Sequence, residues 1–373
     1  MIIENGQIFT KGGNFIQGSI RFGRTITEIG RLCPAEDEHC LNVNGGYVIP
    51  GLVDIHTHGA MGIDVCDASP EGLEAMSVYF AQNGITSFCP TTMTLPESRL
   101  TQIVRSVAST SLSGAKSAGI HMEGPFISPL KKGSQPEAYI LAPDGDMFDL
   151  LNEAAEGNIR LVDIAPERDE GFRFTRRVSP HCHVSFAHTD TDYQTALDGF
   201  ACGADHVTHL FNAMSPYHQF DPGLIGAAAD SGVYVEVICD GCHVHPSIIK
   251  SLFRLFSPDK ICFISDSLRC AGMPDGTYDL AGQTVHLREG KATLESGVLA
   301  GSAIHLAEAM RRAVRFGVPL EAAVAAATRN PAASIGLENV IGTLMPGANA
   351  DIVVLDKELN VRQVFLQGEA FCP

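Results

Sequence analysis

The chain has 373 residues, of which 43 are acidic and 26 basic, giving a formal charge of −17; it has no Trp, and 7% of its residues are aromatic. That balance disfavours nonspecific binding to nucleic acid or to an anionic membrane, and base-stacking platforms are not expected either. No 18-residue apolar span occurs, and no basic segment followed by an apolar core opens the chain, so neither membrane insertion nor secretion is expected and a cytoplasmic protein is.

The first stretch, MIIENGQIFTKGGNFIQGSIRFGRTITEIG, reads as short strands separated by Gly, Asn and Asp turns. Next comes the apolar run VIPGLVDI, closed by His56 and His58 in IHTHG. Alternate side chains of a strand share a face, so both imidazoles can meet one ion while Thr57 faces away. An HxH pair alone is weakly specific, but later runs end in the same manner. Apolar, β-branched stretches recur at 85–93, 119–126, 159–167, 183–190, 206–214, 234–243 and 261–268, making eight with the run before His56. The polar residues that end them include Glu123, His188, His209, His243 and Asp266.

Between these runs lie segments with helical spacing or small-residue richness, among them PEGLEAMSVYFAQNG, DTDYQTALDGFACGA and HPSIIKSLFRLF. Continuous apolar strands alternating with helices imply a parallel sheet covered on its outer face, and eight such units predict an α/β fold closed as a (β/α)8 TIM-type barrel. In that fold the chemistry sits at the carboxyl ends of the strands, where these polar residues fall. The C-terminal GTLMPGANADIVVLDKELNVRQVFLQGE again reads as short strands. We therefore expect a small β-sandwich domain built from both chain termini, residues 1–49 and 342–373, with the barrel over 50–341.

The 11 cysteines are scattered through apparent strands and helices, which fits reduced thiols better than a disulfide framework. Cys239 and Cys242 form a CxxC beside His243 and His245, but no second pair completes a thiolate zinc site.

The segments DIHTHG (54–59), HMEGPFISPLKKG (121–133), AHTD (187–190), HLFNAMSP (209–216), DGCHVHP (240–246), ISDSLRCAG (264–272) and LAGS (299–302) together resemble the N-acetylglucosamine-6-phosphate deacetylase family of the amidohydrolase superfamily. The resemblance runs from the N-terminal strands to the C-terminal end. It implies a barrel with a small β domain, hydrolysis of an N-acetyl group from an amino sugar, a divalent metal and a homodimer. Glu123, His188 and His209 make a two-His, one-carboxylate set that leaves a position open for water, as a catalytic metal site requires. Either histidine alone would read as a hydrogen-bonded core residue; their joint placement in family motifs favours ligands. His56 and His58 would hold a second ion with Glu123 bridging, so one or two ions per subunit are expected, and imidazole with carboxylate suits zinc, iron, cobalt or nickel.

Asp266 is the expected general base and then acid, its bland alternative being a cap on the next helix. The resemblance matches His243 to a substrate-contacting histidine, and Asn212 and Ala213 to positions that bind the sugar phosphate. Gly223 and Gly226 read as turn residues, and Lys131 and Lys132 as a solvated loop able to lend positive potential.

Two departures bear on the substrate. The family's arginine after FNAM, which pairs with the 6-phosphate, is replaced in HQFDPG by Phe220, which cannot make a charge-assisted bond. The histidine two residues after KKG, which polarises the amide carbonyl, is replaced by Gln135, which donates a hydrogen bond but cannot become cationic. An unphosphorylated or differently substituted N-acetyl sugar therefore stands beside N-acetylglucosamine 6-phosphate as the expected substrate. N-acyl amino acid deacylation is a further alternative, disfavoured because those families often bridge their metals with a carboxylated lysine. A catalytically silent barrel used for assembly or sensing is disfavoured by retention of every expected ligand. Anomer preference is not legible.

Overall fold

The computed structural model describes residues 1–371. Eight parallel strands form its centre: β1 (Leu52–Thr57), β2 (Ile85–Pro90), β3 (Ile120–Phe126), β4 (Ile159–Ile164), β5 (His183–Phe186), β6 (His206–Val207), β7 (Tyr234–Ile238) and β8 (Ile261–Ile264). β1 pairs with β2, and β3 to β8 pair in sequence order within one six-stranded sheet. A parallel bridge between Thr91 and His121 joins the end of β2 to β3, and another between Thr57 and Ser267 joins the end of β1 to the segment after β8. Every residue of β1, β2, β3 and β8 is buried, which explains their unbroken apolar character: both faces are covered, so no polar alternation is needed.

Most of the expected apolar runs are strands only in their first part. β5, β6 and β8 stop at Phe186, Val207 and Ile264, and two residues beyond each stands His188, His209 or Asp266 with φ of 45°, 32° and 46°. These are left-handed conformations that a non-glycine residue adopts at a cost of about 1–3 kcal/mol. Repetition at three strand ends shows how the chain leaves the sheet while turning a polar side chain inward.

Helices pack outside the strands. In Pro70–Gln82, the Ser69 side chain accepts the Gly72 N–H and Pro70 occupies the first turn, where its missing N–H costs nothing. The helix buries Leu73, Met76 and Phe80, with Phe80 5.0 Å from the Phe88 ring of β2. The predicted helices near residues 190–204 and 245–256 are Tyr193–Ala201 and Pro246–Leu255.

The strands from both chain ends form one eight-stranded sheet, in which Ile352–Leu355 pairs antiparallel with Tyr47–Pro50 and the latter pairs parallel with Ile2–Phe9. It has its own apolar cluster, including Ile3, Ile8, Ile20, Val48, Ile352 and Phe365. A four-stranded antiparallel sheet over residues 276–301 was not anticipated. Two of its turns, Ala281-Gly282 and Glu289-Gly290, have positive φ at both central residues, the geometry that suits tight hairpins.

Helix Leu306–Arg315 begins at His305, whose Nδ1 accepts the Glu308 N–H at 3.3 Å. Burial, reinforced by the Arg311 charge and only partly opposed by Glu308, lowers the imidazole to about 4. The unfolded chain binds this proton near pH 6.5, so the contribution is fully present above that value and is lost as pH falls towards 4. Allowing for partial exposure, the loss is about 2 kcal/mol. Urea titrations between pH 4 and 8 should show His305→Ser, which keeps a cap without a titrating group, with a flatter stability profile than the parent; parallel profiles would refute this.

Candidate metal centre and substrate cavity

Two clusters of ligand-type atoms meet at the carboxyl ends of the strands. In the first, Glu123 of β3 directs Oε1 to within 3.1 Å of both His188 Nε2 and His209 Nε2, which are themselves 3.1 Å apart. In the second, His56 Nε2 and His58 Nε2 are 3.3 Å apart and lie 3.5 and 3.4 Å from Asp266 Oδ1. Glu123 spans the two, its Oε2 3.3 Å from His58 Nε2. Donors on a tetrahedral ion at about 2.0–2.2 Å are roughly 3.3–3.6 Å from one another. The second triad matches that spacing and the first is slightly tighter, so both donor sets fit a divalent cation.

The imidazoles are held from behind. His188 Nδ1 donates to the Lys131 carbonyl at 2.9 Å, which leaves its Nε2 lone pair facing the first cluster. His56 Nδ1 lies 2.9 Å from Glu236 Oε2. His121, on the same face of β3 as Glu123, packs against the His56 ring and pairs with Asp163 at 3.0 Å. Thr208 donates to the same Asp163 oxygen at 2.8 Å.

Burial and charge set the protonation. Burial pushes the Glu123 carboxyl up, but hydrogen bonds from His188, His209 and His58 outweigh it and hold the group well below its ordinary range. Burial also lowers His58, yet Asp266 and Glu123 raise it well above its usual value, whereas His56 is driven well below by burial and by the neighbouring His121. Burial pushes Glu236 well above the ordinary carboxyl range. His121 opposes its burial through Asp163 and reaches about 9. A cluster poised between cationic imidazoles and ionised carboxylates can exchange protons for a metal ion.

These groups open into a cavity of about 370 Å3, lined by His58, Glu123, Gln135, His188, His209, Asn212, Ala213, His243 and Asp266, so nearly every site residue expected from sequence converges there. His56 lies just beneath, fully buried. His243 is oriented by Asp240, whose Oδ2 lies 2.7 Å from Nδ1; burial lowers the imidazole, but this partner raises it above its usual value. The hairpin sheet closes one wall through Leu280 and residues 298–301. Gly301 makes that approach possible: at φ 125°, an added Cβ would stand 2.9 Å from the Asp266 carbonyl.

Two expected contacts differ. Phe220 is 85% exposed on the turn between His218 and Asp221 and does not line the cavity. Gln135 lines it, but its amide is committed at both ends, donating to Glu123 Oε2 and accepting the Thr94 N–H at 2.8 Å. It braces the carboxylate through one of its two Nε2 protons. Sequence reasoning missed His121, Asp163, Glu236 and the hairpin wall. The first three were visible as lone polar residues inside apolar runs, HMEG, LVDI and YVEVI, and the hairpin as alternating residues around AG and EG dipeptides.

Residues 47–371 match the amidohydrolase family model. The chain is 37% identical over 330 residues to N-acetylglucosamine-6-phosphate deacetylase of Bacillus subtilis (strain 168), covering 86% of this chain and 83% of that one. It is 32% identical over 374 residues to N-acetylgalactosamine-6-phosphate deacetylase of Escherichia coli O157:H7, covering 94% and 98% respectively. Among solved structures, an aspartate-to-alanine variant of the Mycobacterium smegmatis N-acetyl-D-glucosamine-6-phosphate deacetylase in complex with N-acetyl-D-glucosamine-6-phosphate superposes with a TM-score of 0.92 at 30% identity, covering 99% of this chain and 98% of that one. With the two donor clusters at its strand ends, and with these relatives along nearly its whole length, the chain belongs to the amidohydrolase family and, within it, to the N-acetylglucosamine-6-phosphate deacetylases.

Proposed function

We propose that the protein hydrolyses the acetamide of N-acetylglucosamine 6-phosphate to glucosamine 6-phosphate and acetate. The observation that carries this reading is the pair of adjacent donor triads linked by Glu123, with Asp266 of the second lining the cavity. Glu123, His188 and His209 would hold one divalent ion, and His56 and His58 a second; zinc, iron, cobalt and nickel all suit these donors. When bound, such an ion polarises a carbonyl and makes water a nucleophile at neutral pH.

The chain's own groups do the rest. Asp266 takes the proton from the attacking water and returns it to the departing amine. His243, fixed by Asp240, faces the substrate within the cavity, and Asn212 and Ala213 present the loop that follows β6. The reading includes a closed (β/α)8 barrel, supported by the Thr91–His121 and Thr57–Ser267 bridges that link the two groups of strands. It also includes a homodimer, on family resemblance, and a cytoplasmic setting, supported by free thiols at all ten described cysteines. Among the described residues no helix is long and apolar enough to cross a membrane.

A second reading, an unphosphorylated N-acetyl sugar, is favoured by the scarcity of cations around the cavity. Lys131 is the one Lys or Arg lining the cavity among the described residues, and its Nζ lies 3.0 Å from Asp190. Acetate release with N-acetylglucosamine 6-phosphate, N-acetylgalactosamine 6-phosphate and N-acetylglucosamine tests the choice. We expect the phosphorylated glucosamine derivative to be preferred. Lys131→Ala should lower kcat/KM for it by about 10-fold, the scale of one charge-assisted hydrogen bond, with the neutral sugar unchanged. Phe220→Arg, on an exposed turn, should shift the preference by less than about threefold. Preference for the neutral sugar by the unaltered chain would reject the phosphate reading.

A further inference from the structure

Glu236 is the one charged residue of β7 and is fully buried, yet it lies too deep to line the cavity. A buried carboxylate is costly, and well-packed apolar side chains are often at least as stabilising in such places, so stability does not account for it. Its contacts do. Oε2 sits 2.9 Å from His56 Nδ1 and accepts a long bond from the His209 N–H at 3.4 Å, while Oε1 has no hydrogen-bond partner and lies 3.9 Å from His206 Nε2. An imidazole can offer a lone pair to a cation from one nitrogen only while the other carries its proton. When Nδ1–H donates to Glu236, the lone pair of His56 is placed on Nε2, facing His58 Nε2 and Asp266 Oδ1. In the first triad the Lys131 carbonyl orients the His188 ring, and Glu236 reaches His209 only through its backbone N–H at 3.4 Å.

We propose that Glu236 is a positioning residue for the second cation centre: by fixing the tautomer of His56 from inside the barrel, it determines whether the chain holds one divalent ion or two. The proposal rests on the reading of His56 and His58 as ligands. It adds a reason for the pairing of a strand-end HxH with a lone acid in the middle of β7, 180 residues away.

Full-length protein stripped with a chelator and titrated with Zn2+ by calorimetry, with ions per chain counted by elemental analysis, tests it. Co2+ absorption provides a separate signature of the second equivalent. The unaltered chain should bind two ions. Glu236→Leu should weaken the second by about 10–100-fold, the usual cost of losing such an outer partner, and leave the first within about threefold. Glu236→Gln, which keeps an acceptor oxygen and the shape, should restore part of that affinity; if the Leu variant does not fold, the Gln variant decides alone, and wild-type affinity for its second ion overturns the proposal. A Leu variant that binds both ions as tightly as the unaltered chain also overturns it, with the ligand reading intact. A single ion per unaltered chain overturns the ligand reading for His56 and His58 and the proposal together.

Discussion

Asp266→Asn is expected to lower kcat by about 10²–10⁴-fold while an ion remains at Glu123, His188 and His209. The substitution is nearly isosteric, and an amide cannot accept the proton of the attacking water or return it to the amine. Asp266 is placed for that task by its left-handed backbone at φ 46°, by its N–H donating to the His56 carbonyl at 2.9 Å, and by the Ser302 N–H donating to its own carbonyl at 2.7 Å. Those backbone bonds survive in the variant, so the loss should appear in kcat more than in KM. Elemental analysis should still find the ion of the first triad. Retention of more than a tenth of the parental rate would exclude Asp266 as the base, and loss of that ion would make it a structural ligand instead.

Glu123→Ala is expected to remove bound metal and activity together. Its two oxygens meet His188, His209 and His58, so one substitution strips a donor from the first cluster and the link to the second. Outer partners alone change metal affinity by about 10–100-fold, and a direct ligand should cost at least that upper figure. Calorimetric titration with Zn2+ and circular dichroism would separate site loss from unfolding. A variant that stays folded and binds metal as the parent does would remove Glu123 from the ligand set. Chelation of the parent should give the same inactive state, reversed by adding Zn2+ or Co2+.

Gln135→Ala distinguishes bracing from substrate contact less sharply, because its amide touches Glu123 as well as the cavity. The contrast with Phe220 is instructive. Both were flagged by the same comparison with a family pattern, yet one is buried against the carboxylate and the other is nearly fully exposed. A pattern in one dimension marks a position as unusual, and the fold of its loop decides what that position touches.

The amino-acid sequence by itself determined the order of strands and helices, because apolar continuity and helical spacing are local properties that burial on both faces of a strand enforces. It also determined that His56 and His58 share a face, and that His188, His209 and Asp266 stand just past strand ends, whereas Glu123 lies within β3, three residues before its end. Tertiary structure alone decided which atoms meet. Glu123 is separated by 65 residues from His188 and by 86 from His209, and their 3.1 Å contacts depend on the pairing of successive strands around the centre. The commitment of Gln135, the buried acid behind His56 and the hairpin wall beside Asp266 have the same origin. Each is a long-range contact fixed by strand register and packing; the AG and EG turns mark the hairpins locally, but not the wall against which they pack.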